Sequence, residues 1–392
     1  MSIRRIFLAI ARIVAVVAIA GLAPAMLASW AYAQQSQPLI KRPPPPALWV
    51  VNKNSPSIIT VFQGVRLTRK TGPIGGFSIT ASSVSAGGLT FDSSMDLWVG
   101  LCDLTAPYDG YLVEETPAGL RRLYLYGTAK FNAVISDPLA PSGGPEYLSC
   151  PRALQFDPSG NLWVQVRPTN DTPTPSLIEY ARGLLVSGNP VPTAQIQTTN
   201  LGTGSGAVAM AFDHAGNLWE AADGIVEYTA AQLAAGTQTD PYQTLIVGGG
   251  TPDFSYPSAV TFDASGNLWV AFEIDGGLST GGLEMIAAAD LAGSGTSTPT
   301  PAVVLTSTAY GKGNLLTSFQ SPDGLAFDSL GNLWVANTLQ PKTGLGSGSL
   351  VEFGVSELTT SGSPVPLRGI LANHYDSNMM NPGYLTFGPS LP

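Results

Sequence analysis

The stretch Leu154-Gln155-Phe156-Asp157-Pro158-Ser159-Gly160-Asn161-Leu162-Trp163-Val164-Gln165 decides the fold, because it recurs. Its pattern returns as LTFDSSMDLWVG from Leu89, MAFDHAGNLWEA from Met210, VTFDASGNLWVA from Val260 and LAFDSLGNLWVA from Leu325. The phenylalanines stand at 91, 156, 212, 262 and 327, and a tryptophan follows each by seven residues, at 98, 163, 219, 269 and 334. The spacing of 50 to 65 residues between units is too long for a leucine-rich or ankyrin unit and long enough for four strands with their loops.

Within the unit, Phe-Asp-x-x-Gly-Asn-Leu-Trp predicts a tight hairpin. The Asp side chain accepts from backbone N–H groups of the turn, and Gly supplies a positive φ. Met95 stands at the glycine position of the first unit, so that turn is expected to differ or to carry strain. A calcium-loop reading of the repeated Asp and Asn offers too few oxygen ligands in the right order, and turn chemistry accounts for all of them. After each Trp strand comes an apolar strand, as in Ser176–Tyr180, Ile225–Tyr228 and Leu350–Phe353. A Pro-bearing outer strand then closes the unit, as in Val191–Ile196 and Val365–Ile370, where an edge position tolerates Pro.

Two half-repeats set the count. Tyr384-Leu385-Thr386-Phe387 supplies a first strand, and the chain ends at Pro392 without reaching a Trp. Ala47-Leu48-Trp49-Val50-Val51-Asn52 supplies a Trp strand with no Phe before it. Joined, they complete a sixth unit and leave no open edge between the ends of the ring. The expectation is an all-β, six-bladed β-propeller over residues 47–392 whose terminal strands share one blade, a single domain despite its length.

The chain begins with Arg4, Arg5 and Arg12, an apolar run from Ile13 to Leu27, and Ala31-Tyr32-Ala33 ahead of Gln34. This reads as a signal peptide over 1–33, followed by a Pro-rich linker over 34–46. Arg4-Arg5 leaves twin-arginine and unfolded export both open. The apolar run is short of the ~20 residues that span a bilayer, and no later segment is long and apolar enough, so no span is expected after cleavage. Periplasmic or secreted localisation follows. Removing residues 1–33 takes away three of 18 basic residues and none of 27 acidic ones, leaving a net charge near −12. That acidity disfavours nucleic-acid binding. A monomer is expected.

On the FDxxGNLWVA unit, the sequence resembles the NHL-repeat propellers, and more loosely virginiamycin B lyase and the gluconolactonase/strictosidine-synthase-like propellers. The resemblance covers about Ala47 to Pro389 and is specific for architecture. Functional loops lie on one rim, before each Phe strand and after each Trp strand. The lactonase resemblance implies a Ca²⁺ or Mg²⁺ ion at the channel mouth held by Glu, Asn and Asp. Asn52, Glu273, Asp323 and Asn337 are the rim residues offering those ligand types, against the alternative that they are solvated loop residues or cap the channel by hydrogen bonding. The lyase resemblance implies a channel His with carboxylates, for which His374 with Asp376 or Glu273 is the comparable set. His214, inside a hairpin turn on the opposite face, reads as an exposed turn residue.

Cys102 follows the first Trp strand and Cys150 precedes the next Phe strand, so the repeat puts both on the same rim in adjacent blades. In an oxidising compartment a disulfide is expected, with two free thiols or a metal pair as alternatives. The leading functional expectation is an exported binding or protein-interaction module that presents its loop rim to an envelope protein or a small polar ligand. The alternatives are a divalent-metal-dependent hydrolase or lyase at the channel mouth, and a structural spacer.

Overall fold

The computed structural model describes residues 47–389 except 53–57, 63–74, 79–83, 104–109, 127–129, 137–146, 167–175, 198–208, 223, 237–239, 249–253, 275–280, 311–315, 339–347 and 372–381. The segments expected as signal peptide and linker, together with His374 and Asp376, lie outside the described residues.

Residues Pro45–Pro392 form one compact unit, a six-bladed β-propeller. Each blade is an antiparallel four-stranded sheet read from the axis outward. Blade 1 spans Val84–Ser136, blade 2 Pro151–Gln197, blade 3 Ala209–Leu245, blade 4 Phe254–Thr306 and blade 5 Pro322–Leu371. Blade 6 takes its innermost strand, Pro382–Gly388, from the C-terminal end, and its other three, Ala47–Asn52, Ile58–Phe62 and Gly75–Ser78, from the N-terminal end. Trp49 lies opposite Thr386 and Leu48 opposite Phe387, so both ends of the ring are held by one ladder.

The repeat works because it builds the seams between blades. The six tryptophans are all at most 2 % exposed. Trp49 of blade 6 meets Phe91 of blade 1 edge-on, with ring centroids 5.4 Å apart, and Trp98–Phe156, Trp219–Phe262 and Trp269–Phe327 repeat the contact around the ring. Burying each indole is worth about 4 to 6 kcal/mol as an upper figure. The Trp49–Phe91 contact makes the seam between blades 6 and 1 equivalent to those three.

The hairpin follows its sequence. In all five continuous units the Asp Oδ1 accepts from the N–H groups two and four residues on, as in Ser159 at 2.9 Å and Asn161 at 2.8 Å for Asp157. Gly160, Gly216, Gly266 and Gly331 take φ between 80° and 84°, and Met95 adopts φ 65° at the same place. Blade 1 thus keeps the turn and accepts a left-handed methionine, at a cost of about 1–2 kcal/mol.

The outer strands differ from expectation. They begin after the prolines, at Ala194 and Arg368, while Val191 and Val365 are 60 % exposed. The preceding residues serve another purpose, because they reach back to the neighbouring blade. Gly188 of blade 2 bonds in parallel to the outer strand of blade 1, with its N–H on the Val134 carbonyl at 3.0 Å and its carbonyl on the Ser136 N–H at 3.1 Å. Gly362 of blade 5 does the same on blade 4, and Gly295–Ser297 of blade 4 adds a fifth, parallel strand to blade 3. These latches pair edge groups that would otherwise face solvent. Blades 1 and 3 replace the latch with helices, α1 (Pro117–Tyr126) and α2 (Ala230–Ala235), the second fixed by a Thr229–Gln232 capping box. No helix among the described residues is long and apolar enough to cross a membrane.

Candidate functional site

On the rim, the four expected ligand positions fall on three consecutive blades: Glu273 in blade 4, Asp323 and Asn337 in blade 5, and Asn52 in blade 6. Asn337 is fully buried, and its amide is committed. Its Oδ1 accepts from the Gln320 N–H at 2.9 Å, and its Nδ2 donates to the Ser318 carbonyl at 3.1 Å and to Ser349 Oγ at 3.2 Å. Asn337 therefore clasps the loop entering blade 5 against the blade's second and third strands. Thr338 adds two bonds to the Ser321 carbonyl, both at 3.1 Å. Asn52 is 2 % exposed and donates to Thr60 Oγ1 at 2.8 Å. The Glu273 backbone pairs with Tyr256 and Gly281, and its side chain is outside the described residues.

A second clasp joins blades 1 and 2. Cys102 and Cys150 form a disulfide with a Cα–Cα distance of 4.4 Å, closing 48 residues of chain. Cys150 takes φ 44° immediately before Pro151, and Ser321 takes φ 47° before Pro322 in blade 5. The same turn into an inner strand is thus secured covalently in one place and by hydrogen bonds in the other.

The channel encloses about 390 Å³ between the six innermost strands. Leu89, Leu154, Met210, Val260, Leu325 and Leu385 form a girdle, each 4–8 % exposed. At the adjoining position five blades have Gly or Ala, namely Gly88, Ala153, Ala209, Ala259 and Gly324, and blade 6 has Tyr384. Tyr384 packs against the clusters of blades 6 and 1 and also against that of blades 2 and 3, so its ring partly fills the bore. Asp323, 9 % exposed, is the one carboxylate in the lining among the described residues.

Between blades 2 and 3 the seam carries buried polar groups. Glu220 is fully buried where the other five blades have Val at the residue after Trp. The Gln165 amide of blade 2 donates to one of its oxygens, and the other has no partner. Burial raises its pKa to about 8, the Gln165 bond opposing this, so Glu220 is an uncharged acid at neutral pH. The Tyr228 hydroxyl, on the same face of blade 3, is also buried, and burial with Glu220 and Asp240 nearby pushes it up.

The face opposite the rim, where the hairpins turn, holds an open cleft of about 770 Å³ between blades 3 and 4. Asp213, His214, Glu227 and Tyr242 line one wall, and Ala288 with Leu291–Ser294 from the blade 4 latch line the other. Asp213 is spent on its turn and on Trp219 Nε1 at 3.1 Å. Glu227 is 5 % exposed, and burial followed by the Asp213 charge raises its pKa to about 7. His214 is exposed, as its turn position implied, but it stands in this cleft. The sequence reading passed over Glu227 and Tyr242. The signal for them is the glutamate recurring on third strands at 114, 179, 227 and 352.

In blade 1, Asp96 replaces the Asn of the other hairpins, and Asp92, Asp96 and Glu114 bring carboxylate oxygens within 4.8 Å of one another. Burial and then Asp92 raise the Asp96 pKa; burial raises Glu114 against the bond from Asn132.

No protein-family model matches the chain, and no curated protein matches it in sequence. Among solved structures, a protein of unknown function from Bacteroides caccae is 11 % identical, with 88 % of this chain and all of that one covered at a TM-score of 0.56. A luciferin-regenerating enzyme is 14 % identical over 82 % of this chain and all of that one, at a TM-score of 0.46. PorZ of Porphyromonas gingivalis, a bacterial surface component of the type-IX secretion system, is 15 % identical over 82 % of this chain and 40 % of that one, at 0.44. At these identities the likeness speaks for the fold alone. By fold, the chain is a six-bladed β-propeller.

Proposed function

We propose that the chain is an exported binding module, a rigid ring that presents loops for recognition of an envelope protein or a small polar ligand. The observation that carries this reading is the fate of the Asn337 amide, whose oxygen and nitrogen are spent on Gln320, Ser318 and Ser349 inside blade 5. A rim amide that fixes a loop is display architecture, since binding loops need a rigid scaffold. The disulfide supports an oxidising compartment. A metal-dependent hydrolase or lyase is the second reading. It is favoured by Asp323 lining the channel, and would recruit Glu273 and His374 around Ca²⁺ or Mg²⁺.

Fractionation of the native host, with mass spectrometry of the mature N-terminus and metal analysis of protein purified without chelator, tests the choice. The binding module predicts periplasmic or secreted protein beginning at Gln34 and no stoichiometric metal. One equivalent of Ca²⁺ or Mg²⁺, lost in Asp323→Ala and accompanied by lactone hydrolysis, would replace it with the enzyme. Protein retained in the cytoplasm with residues 1–33 attached would sink the exported reading.

A further inference from the structure

Four blades place a glutamate on the third strand opposite the repeated Trp: Glu114, Glu179, Glu227 and Glu352. In three of them a donor just before or at the start of the outer strand meets that carboxylate. Asn132 Nδ2 bonds Glu114, Thr193 Oγ1 bonds Glu179 at 2.7 Å, and Arg368 Nε pairs with Glu352 at 3.1 Å. In blade 3 the corresponding place belongs to Tyr242. Its backbone N–H bonds the Glu227 carbonyl at 2.8 Å, as those of Asn132 and Thr193 bond theirs, but its side chain is 46 % exposed. The Gln243 amide, turned so that its nitrogen meets acceptors, reaches Glu227 Oε2 at 3.3 Å. Among the described residues, no lysine or arginine lines the cleft.

The opposite wall has been kept small. The blade 5 latch reads Val355-Ser356-Glu357-Leu358-Thr359-Thr360-Ser361-Gly362, and the blade 4 latch reads Ala288-Ala289-Asp290-Leu291-Ala292-Gly293-Ser294-Gly295. Ala288, Ala292 and Gly293 stand where blade 5 has the larger, exposed Val355, Thr359 and Thr360. The Gly295 N–H on the Tyr242 carbonyl at 2.9 Å ties this wall to the other, so the cleft is a built gap between two bonded segments.

We propose that the cleft between the hairpin ends of blades 3 and 4 is a binding site for an arginine side chain of a partner polypeptide, with Glu227 accepting from the guanidinium and the Tyr242 ring stacking on it. Arginine fits better than lysine, since a planar guanidinium can bond a carboxylate and lie on an aromatic face together. Asp213 strengthens the negative field while its oxygens stay in the turn, and His214 stands at the mouth. Among the described residues, the wall from blade 4 brings no charged side chain into the lining. The site is on the face opposite the rim and stands independently of the rim reading.

The test is an NMR titration of the disulfide-intact protein with acetyl-Gly-Arg-Gly-amide, with its citrulline counterpart as the uncharged control and calcium chloride as a separate arm. The arginine peptide should shift resonances of blades 3 and 4 and bind at least about tenfold more tightly than the citrulline peptide. Glu227→Gln should lose at least about tenfold, and Tyr242→Ala about two- to fivefold. Ser294→Arg, which supplies a guanidinium from the blade 4 wall, should block the peptide. Because the Glu227 carboxyl titrates at about 7, affinity should rise between pH 6 and 8. Equal binding of the citrulline peptide, an unchanged Glu227→Gln protein, or calcium uptake at Glu227 without peptide binding would each overturn the proposal. If Glu227→Gln fails to fold, the exposed Tyr242 and Ser294 variants decide.

Discussion

The two faces of the ring treat their polar residues in opposite ways. On the rim, Asn337, Asn52 and the Cys102–Cys150 pair offer ligand chemistry by type, and the structure spends the amides and the thiols on holding loops and blades. On the hairpin face a repeated turn residue and a repeated third-strand glutamate look like plain scaffold, and one copy, Glu227, borders an open cleft with the neutral Gln243 amide as its local donor. The difference teaches that residue type does not mark a site. What marks it is whether the neighbours close over the group or leave it on a cleft.

The largest expected effect lies between the faces, at Glu220. Its folded-state pKa is raised to about 8 from an ordinary 4.5, so the folded protein binds the proton more tightly than the unfolded chain does. The stability tied to this group is fully present below about pH 4.5 and is lost as pH rises to about 8, on the order of 4 kcal/mol across that window. Denaturant melts from pH 5 to 8.5 should show that decline, and Glu220→Gln should reduce it, leaving the smaller part that Glu227 contributes up to about pH 7. An unchanged slope would mean that the seam between blades 2 and 3 admits water.

Next comes the covalent clasp. Cys102→Ser with Cys150→Ser should cost up to about 4 kcal/mol by the chain-entropy account of a loop this long. Asn337→Ala should cost about 2 kcal/mol, because buried backbone groups at Ser318 and Gln320 lose their partner. If chemical melts of both variants match the parent, the rim residues are free for ligands and the contrast between the faces fails. The smallest effect sharpens the hairpin side: Met95→Gly should stabilise blade 1 by about 1 kcal/mol, by relieving φ 65° at no cost in packing, since Met95 is 50 % exposed. Equal midpoints in urea would show that the methionine is unstrained.

The ring itself was legible because its determinants are local and repeated: the seven-residue step from Phe to Trp, the turn between them, and two half-units that complete each other. The Cys102–Cys150 neighbourhood followed from the same register. The latches were not legible, although Ser187-Gly188, Ser294-Gly295 and Ser361-Gly362 share a dipeptide. A parallel bridge to another blade leaves no periodicity in its own segment, and the adjoining prolines pointed to an edge strand. The rim amides misled for a related reason. Nothing near Asn337 in sequence announces Ser318, 19 residues away, as its acceptor. Glu227 escaped notice because the cleft beside it is completed by residues of the next blade, far away in sequence.

The ring closes through its first and last strands lying side by side. Val50 is opposite Leu385 in that ladder, and opposed residues in antiparallel strands sit within the reach of a cystine. Val50→Cys with Leu385→Cys, oxidised and digested, should yield a crosslinked peptide joining residue 50 to residue 385, alongside the native Cys102–Cys150 product. Two free thiols at 50 and 385 in a folded protein would contradict the shared blade.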